Sequence, residues 1–287
     1  MKLMRYGPKG GEKPAIVDAQ GKLRDLSSVL PDITAQTLTP SSLKRLRELD
    51  IASLPVVANP GRTAPPWSGC GKFVAVGLNY SDHAAETGNP IPKEPVLFMK
   101  TTSCIVGCND AVVLPKGSVK GDWEVELGIV IGSKARYVSH ADALKHVAGY
   151  CVVNDVSERE YQIERGGQWD KGKGCDTFGP IGPWLVTSDE VPDPQNLTMW
   201  LEVNGKRCQN GSTRTMIFGV AHLVSYISEF MTLFPGDLIT TGTPPGVGLG
   251  MKPPVFLKPG DTMRLAIQGL GEQQQKVHAW DAALIDN

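Results

Sequence analysis

The sequence predicts an α+β protein dominated by a curled, mixed β-sheet. Three observations carry that expectation. Short apolar segments recur along the chain, and each is closed by a turn rich in Gly, Pro or Asn. Helical spacing appears in only a few stretches. Long runs of strand–helix–strand alternation are missing, which speaks against a (β/α)8 barrel or a doubly wound sheet. The 287 residues suffice for one large core with a small companion domain.

Taken in order, KLMRYG, PAIVDA and KLRDL read as short strands with a turn at Gln20-Gly21. SSLKRLREL then sets Leu43, Leu46 and Leu49 on one helical stripe. NPGRTAPPWSGCG, residues 59–71, reads as a linker, so residues 1–70 form a small N-terminal α+β domain and residues 71–287 the main body. FVAVGLNY opens that body. Ser139 and Asp142 begin SHADALKHVAG in the manner of a capping box. The Asn-Gly pair of EVNGKR marks a hairpin. FPGD and KPGD are turns that lead into the strands DLITTG and DTMRLAI. FGVAHLVSYISEFM carries Val220, Val224, Ile227 and Met231 at helical spacing.

Composition excludes several classes of function. With 29 basic and 30 acidic residues the formal charge is -1, which argues against nucleic acid or an anionic membrane as a main partner. No apolar run approaches the roughly 18 residues of a membrane span. The start has no apolar h-region of a signal peptide, so the expected compartment is the cytoplasm. The six cysteines show neither C-x-x-C nor zinc spacing and are expected to be reduced and mostly buried.

The most informative stretch is GDWEVELGIV, residues 121–130. A strand that puts Trp123, Val125, Leu127 and Ile129 on one face puts Glu124 and Glu126 side by side on the other, with Cα atoms about 6.6 Å apart. A solvated strand face is the commoner setting for an isolated E-x-E; a bridging cation is the alternative. About thirty residues on, GYCVVNDVSEREYQ ends an apolar strand at Asn154-Asp155. A carboxylate there is costly unless paired, ligating or capping the helix suggested by SEREYQIER. If Asp155 joins the two glutamates, oxygen-only ligation favours Mg2+ or Mn2+ over zinc.

In NYSDHAAETGN, Ser81 or Asp82 can cap a short helix, on which His83 and Glu86 at i,i+3 share a face. A carboxylate-oriented imidazole makes a general base, although an exposed pair is the commoner meaning of a lone H-x-x-E. QWDKGKGCDTFGPIGP reads by default as a solvated loop from which Lys171 and Lys173 project. TTGTPPGVG is a Thr/Gly/Pro loop after an apolar strand and lacks the phosphate-loop lysine.

In that order, GLNYSDHAAE, GDWEVELGIVIG, GYCVVNDVSERE, KGKGCDTFGPIGP and ITTGTPPGVG resemble the fumarylacetoacetate hydrolase family over about residues 71–270. The resemblance implies that Glu124, Glu126 and Asp155 hold a divalent ion, Mg2+ or Mn2+. It implies that His83 and Glu86 activate water from a lid-like segment and that Lys173 faces the substrate. Arg159, Gln162 and Thr243 fall at the family's substrate-binding positions, and Lys100 in FMKTTS is expected to be a further substrate contact. Leu78 stands where many acylpyruvate-cleaving members carry a basic residue. The long front segment resembles members that include sugar-acid hydrolases and ureidoglycolate lyase-like proteins.

The function implied is a metal-dependent hydrolase, best matched to a 2,4-diketo-3-deoxy sugar acid of the fuconate or rhamnonate type, yielding pyruvate and a carboxylic acid. Its partner would be a small 2-keto acid, and the family implies a homodimer. The alternatives are an oxaloacetate-type β-keto acid decarboxylase and a ureidoglycolate lyase.

Overall fold

The computed structural model of the protein describes residues 1–82 and 91–285. His83 and Glu86 therefore lie outside the described residues.

Among the described residues, a twelve-stranded mixed sheet forms the larger layer. Its main path runs Leu23–Asp25, Lys13–Val17, Lys2–Tyr6, Leu185–Thr187, Val147–Asn154, Val125–Ile131, Leu238–Thr240, Phe73–Gly77 and Val96–Lys100. A second sheet orders Lys206–Ser212, Thr198–Val203, Thr262–Ile267, Gly271–His278 and Val112–Val113. Most pairings are antiparallel; Leu238–Thr240 with Phe73–Gly77 is parallel.

The central strand Val125–Ile131 is buried along its whole length. Its odd-numbered side chains, Val125, Leu127 and Ile129, join one core with Met199, Leu201, Met263 and Leu265 of the second sheet. On the other face Val130 packs with Cys151, Val153, Leu3 and Leu238 in a second core. Period-two alternation holds, but the solvated face that an isolated E-x-E suggests does not exist, because both faces are covered.

Several local expectations hold. The hairpin turns at Asn204 and Gly205, both at positive φ, as an Asn-Gly turn requires. Helix Val220–Phe230 buries Val220, Leu223, Val224 and Ile227. Helix Pro40–Arg47 buries Leu43 and Leu46 and is capped by Thr39. The Ser139 hydroxyl accepts the Asp142 amide at 3.2 Å, but only a short 3-10 turn, Ala143–His146, follows. SEREYQIER is helical over only part of its length: Ser157–Glu158 pairs with Gly121–Asp122, and a π-turn covers Glu160–Glu164.

The segment read as a linker is instead packed. Thr63–Ala64 pairs with Lys2–Tyr6, and the Ser68 amide donates to the Ile33 carbonyl. Trp67, 2% exposed, donates its indole N–H to the Gly236 carbonyl at 2.9 Å. Proline and glycine here shape a fixed crossing, not a flexible tether. The front strands likewise extend the main sheet through Lys2–Tyr6 against Leu185–Thr187. Replacing Trp67 by alanine should lower stability by about 3–5 kcal/mol, from lost burial and a stranded carbonyl. Urea denaturation measures this, and a loss within about 0.5 kcal/mol, the usual effect of a surface change, would mean that the segment is not anchored.

Candidate active site

Strand register brings the acidic residues together. Val125 lies opposite Asn154 in the antiparallel pair, so the next position outward sets Glu124 against Asp155. The Asp155 amide donates to the Glu124 carbonyl at 2.9 Å, fixing that alignment. Glu126, two residues along the strand, shares the face. Each of the three carboxylates offers an oxygen within 4.8 Å of the other two, and all three are buried.

That much buried negative charge requires counter-charge. The Lys173 ammonium donates to Glu124 Oε2 at 2.7 Å and to Asp155 Oδ2 at 2.8 Å. Lys100 Nζ lies 2.7 Å from Asp155 Oδ1, an ion pair without a directed hydrogen bond to that oxygen. Arg159 donates to Glu124 Oε1 at 2.7 Å and to Asp122 Oδ2 at 2.8 Å. Glu126 accepts from the Gly242 amide at 2.8 Å and from the Thr240 hydroxyl.

Electrostatics separate the two glutamates. Burial pushes the Glu124 carboxyl up, but Lys173 and Arg159 outweigh it and hold the group far below the usual carboxylate range. Burial raises Glu126 well above that range, and repulsion from Asp155 and Glu124 adds to the effect. Burial alone would lower Lys173, but Asp155 and Glu124 keep it a firm cation.

The structure revises the default reading of the segment around Lys173. KGKG is not a solvated loop: Asp170–Lys173 forms a single helical turn and Lys173 is 2% exposed. Gly172 permits this placement, since a Cβ there would lie 2.3 Å from the Glu158 carbonyl oxygen. Lys171 remains exposed.

A cavity of about 880 Å³ opens on this cluster. Glu124, Glu126, Arg159, Gln162, Lys173 and Thr243 all line it. Gln162 accepts from Arg159 at 3.0 Å. The Thr243 hydroxyl is engaged on both sides, donating to the Val125 carbonyl and accepting from Gln209. Lys100 lies behind Asp155, with Nζ 5.9 Å from the Phe73 ring centroid, and is not among the lining residues.

Two residues that pattern reading passed over organise the site. Asp122 is fully buried and accepts from Arg159, from its neighbour Trp123 and from the Gly248 and Leu249 amides. It thus joins the arginine to the loop lining the cavity. Gln209 accepts from the Val125 amide and donates to Thr243. A carboxylate beside a tryptophan or a polar residue in a strand carries little signal on its own.

The donor set suits a hard divalent cation: three buried carboxylates within 4.8 Å of one another and no sulfur. Replacing Glu126 by glutamine or Asp155 by asparagine should weaken Mn2+ binding at least about tenfold. Calorimetric titration checks this, and unchanged affinity in both variants would remove the ion from this site.

Residues 72–278 match the family model described as fumarylacetoacetate (FAA) hydrolase C-terminal. A Burkholderia cenocepacia protein, named provisionally as a hydrolase without a stated substrate, is 65% identical over 277 residues, covering 96% of this chain and 98% of that one. The fold is similar to fumarylacetoacetate hydrolase from Exiguobacterium antarcticum, with 34% identity, TM-score 0.84, and 98% and 100% of the two chains covered. It is similar also to maleylpyruvate hydrolase from Sphingobium sp. SYK-6 in complex with manganese(II) and pyruvate, with 29% identity, TM-score 0.81 and the same coverage.

Proposed function

The chain belongs to the fumarylacetoacetate hydrolase family, and from that membership we propose a divalent-metal-dependent hydrolase that cleaves the C3–C4 bond of a 2,4-diketo acid to pyruvate and a carboxylic acid. The observation that carries this reading is the buried Glu124, Glu126 and Asp155 cluster beside the Lys173 ammonium at the end of a large cavity. The three carboxylates would hold Mg2+ or Mn2+. When bound, that ion would supply Lewis acidity at the 2-oxo acid end of the substrate.

The remaining chemistry falls to the chain's own groups. His83, oriented by Glu86, would take a proton from the water that adds to the C4 carbonyl carbon. The C3–C4 bond then breaks, its electron pair stays on C3 as pyruvate enolate, and protonation at C3 completes pyruvate. Lys173 would stabilise the developing enolate as fixed positive charge in a site largely shielded from solvent. Arg159 and Gln162 would orient the substrate carboxylate, with Thr243 shaping the wall beside it. Lys100 acts best as support for Asp155, given its position behind that residue. A 2,4-diketo-3-deoxy sugar acid meets the requirement of the charged end, which reads only the 2-oxo acid head and leaves the distal group open, and a homodimer is the expected assembly.

Reaction in H2(18)O with Mn2+ tests the proposal. One heavy oxygen should enter the carboxylic acid product, pyruvate should form in equal amount, and no carbon dioxide should appear. Carbon dioxide without label in an acid product would make the protein a decarboxylase. Replacement of His83 by alanine should lower kcat by about 10²–10⁴-fold. Replacement of Lys173 by methionine should lower it by about 10²–10³-fold. Full activity after the His83 change would remove it as the base.

A further inference from the structure

Beyond its charged end, the cavity is lined by apolar side chains. Leu78, Phe98, Ile163, Trp169, Leu249 and Met251 dominate this part. From this lining we infer that the substrate's distal group is large and apolar, with an aromatic ring or a branched alkyl chain, and that Trp169 is the residue that selects it. The inference rests on the proposed 2-oxo acid site and specifies what that site accepts.

Volume gives the first argument. At about 880 Å³ the cavity is near the top of the roughly 300–1,000 Å³ range of pockets that enclose drug-sized ligands. A pyruvyl head at the carboxylate cluster leaves most of that space for the rest of the substrate.

The second argument is that the apolar wall is built into the fold. Trp169 meets Phe98 edge-on, with ring centroids 5.3 Å apart. The indole lies so close to the strand Phe73–Gly77 that a Cβ on Gly77 would come within 2.5 Å of it. Only a glycine leaves room for the ring in that position. Phe98 in turn lies under Lys173, whose Nζ is 5.3 Å from the ring centroid, so the aromatic pair adjoins the charged end.

Leu78 supplies the third argument. Its φ of 54° is in the left-handed region, which is costly for a leucine. Asn79 holds the segment there through its side chain, which donates to the Phe218 and Thr241 carbonyls and accepts from the Phe218 amide. The result is an aliphatic side chain on the cavity wall.

Polar capacity is short in the same region. Among the described lining residues, the Thr243 hydroxyl and the Gln162 side-chain oxygen are already engaged, which leaves Lys252 as the one cation beside the apolar wall away from the charged end. Ile163 and Leu249 are partly open to solvent, but a sugar hydroxyl held against Leu78 or Trp169 away from water would cost roughly tenfold in affinity if left unsatisfied. An aryl group fills the same wall and loses nothing comparable.

Calorimetric binding to the Mn2+-loaded protein compares 2-oxo-4-phenylbutanoate with a six-carbon 2-oxo-3-deoxy sugar acid. Both present the same head, and neither has a 4-oxo group to be cleaved. The aryl acid should bind at least about tenfold more tightly. Replacing Trp169 by alanine should shrink that ratio to about threefold or less, and Gly77→Ala, which displaces the indole, serves if the first variant does not fold. Equal or tighter binding of the sugar acid, no binding of either, or a ratio unmoved by displacing Trp169 would overturn the inference. An aryl preference without hydrolysis of the matching 2,4-dioxo acid would overturn the hydrolase reading alone and leave the ligand class standing.

Discussion

The antiparallel register that places Val125 opposite Asn154 is the constraint on which the site depends. It sets Glu124 against Asp155 and leaves Glu126 on the same buried face, at the end of the cavity. Three carboxylates so placed repel one another strongly at low dielectric. Most of the polar architecture around them answers that repulsion.

Lys173, Lys100 and Arg159 each bring positive charge from a different element: a helical turn, an edge strand and the segment after Asp155. Such ion pairs contribute little net stability, since each charge also loses its hydration. Removing one partner is costly, however, because the other stays buried and unpaired. That asymmetry ties the elements together. Asp122 extends the tie through Arg159 to the amides of Gly248 and Leu249, so the cavity loop and the carboxylate cluster share one network.

Buried amides perform a similar service between the sheets. Gln275 accepts from Asn154 and donates to the Cys108 carbonyl, while Gln273 donates to the carbonyls of Val152 and Gly182. These contacts hold the end of the strand Val147–Asn154, and with it Asp155, against the second sheet. The cavity therefore has a rigid charged end and a wall of apolar side chains seated on the same strands. On the proposed reading, that arrangement separates chemistry from substrate choice.

Much of the fold class and the grouping of the three acidic residues was legible in the chain. Period-two alternation, turn chemistry and helical stripes are local signals, and they located the hairpin at Asn204-Gly205, the helix Val220–Phe230 and the strand ending at Asn154. The five ordered motifs added the family and grouped Glu124, Glu126 and Asp155. Sequence could not decide burial. The default reading of the KGKG segment as a solvated loop missed that Gly172 serves close packing, although the resemblance already set Lys173 toward the substrate, and residues 59–71 read as a linker because proline and glycine mark turns in packed and free chain alike. Nor could it show Asp122 linking Arg159 to a loop more than 120 residues later, or Gly77 making room for Trp169. Those are contacts between distant segments, and their energies arise only when the sheets close over them. Local pattern thus determined which residues form strands and which motifs mark the family; tertiary packing decided which charges lose water and must find one another.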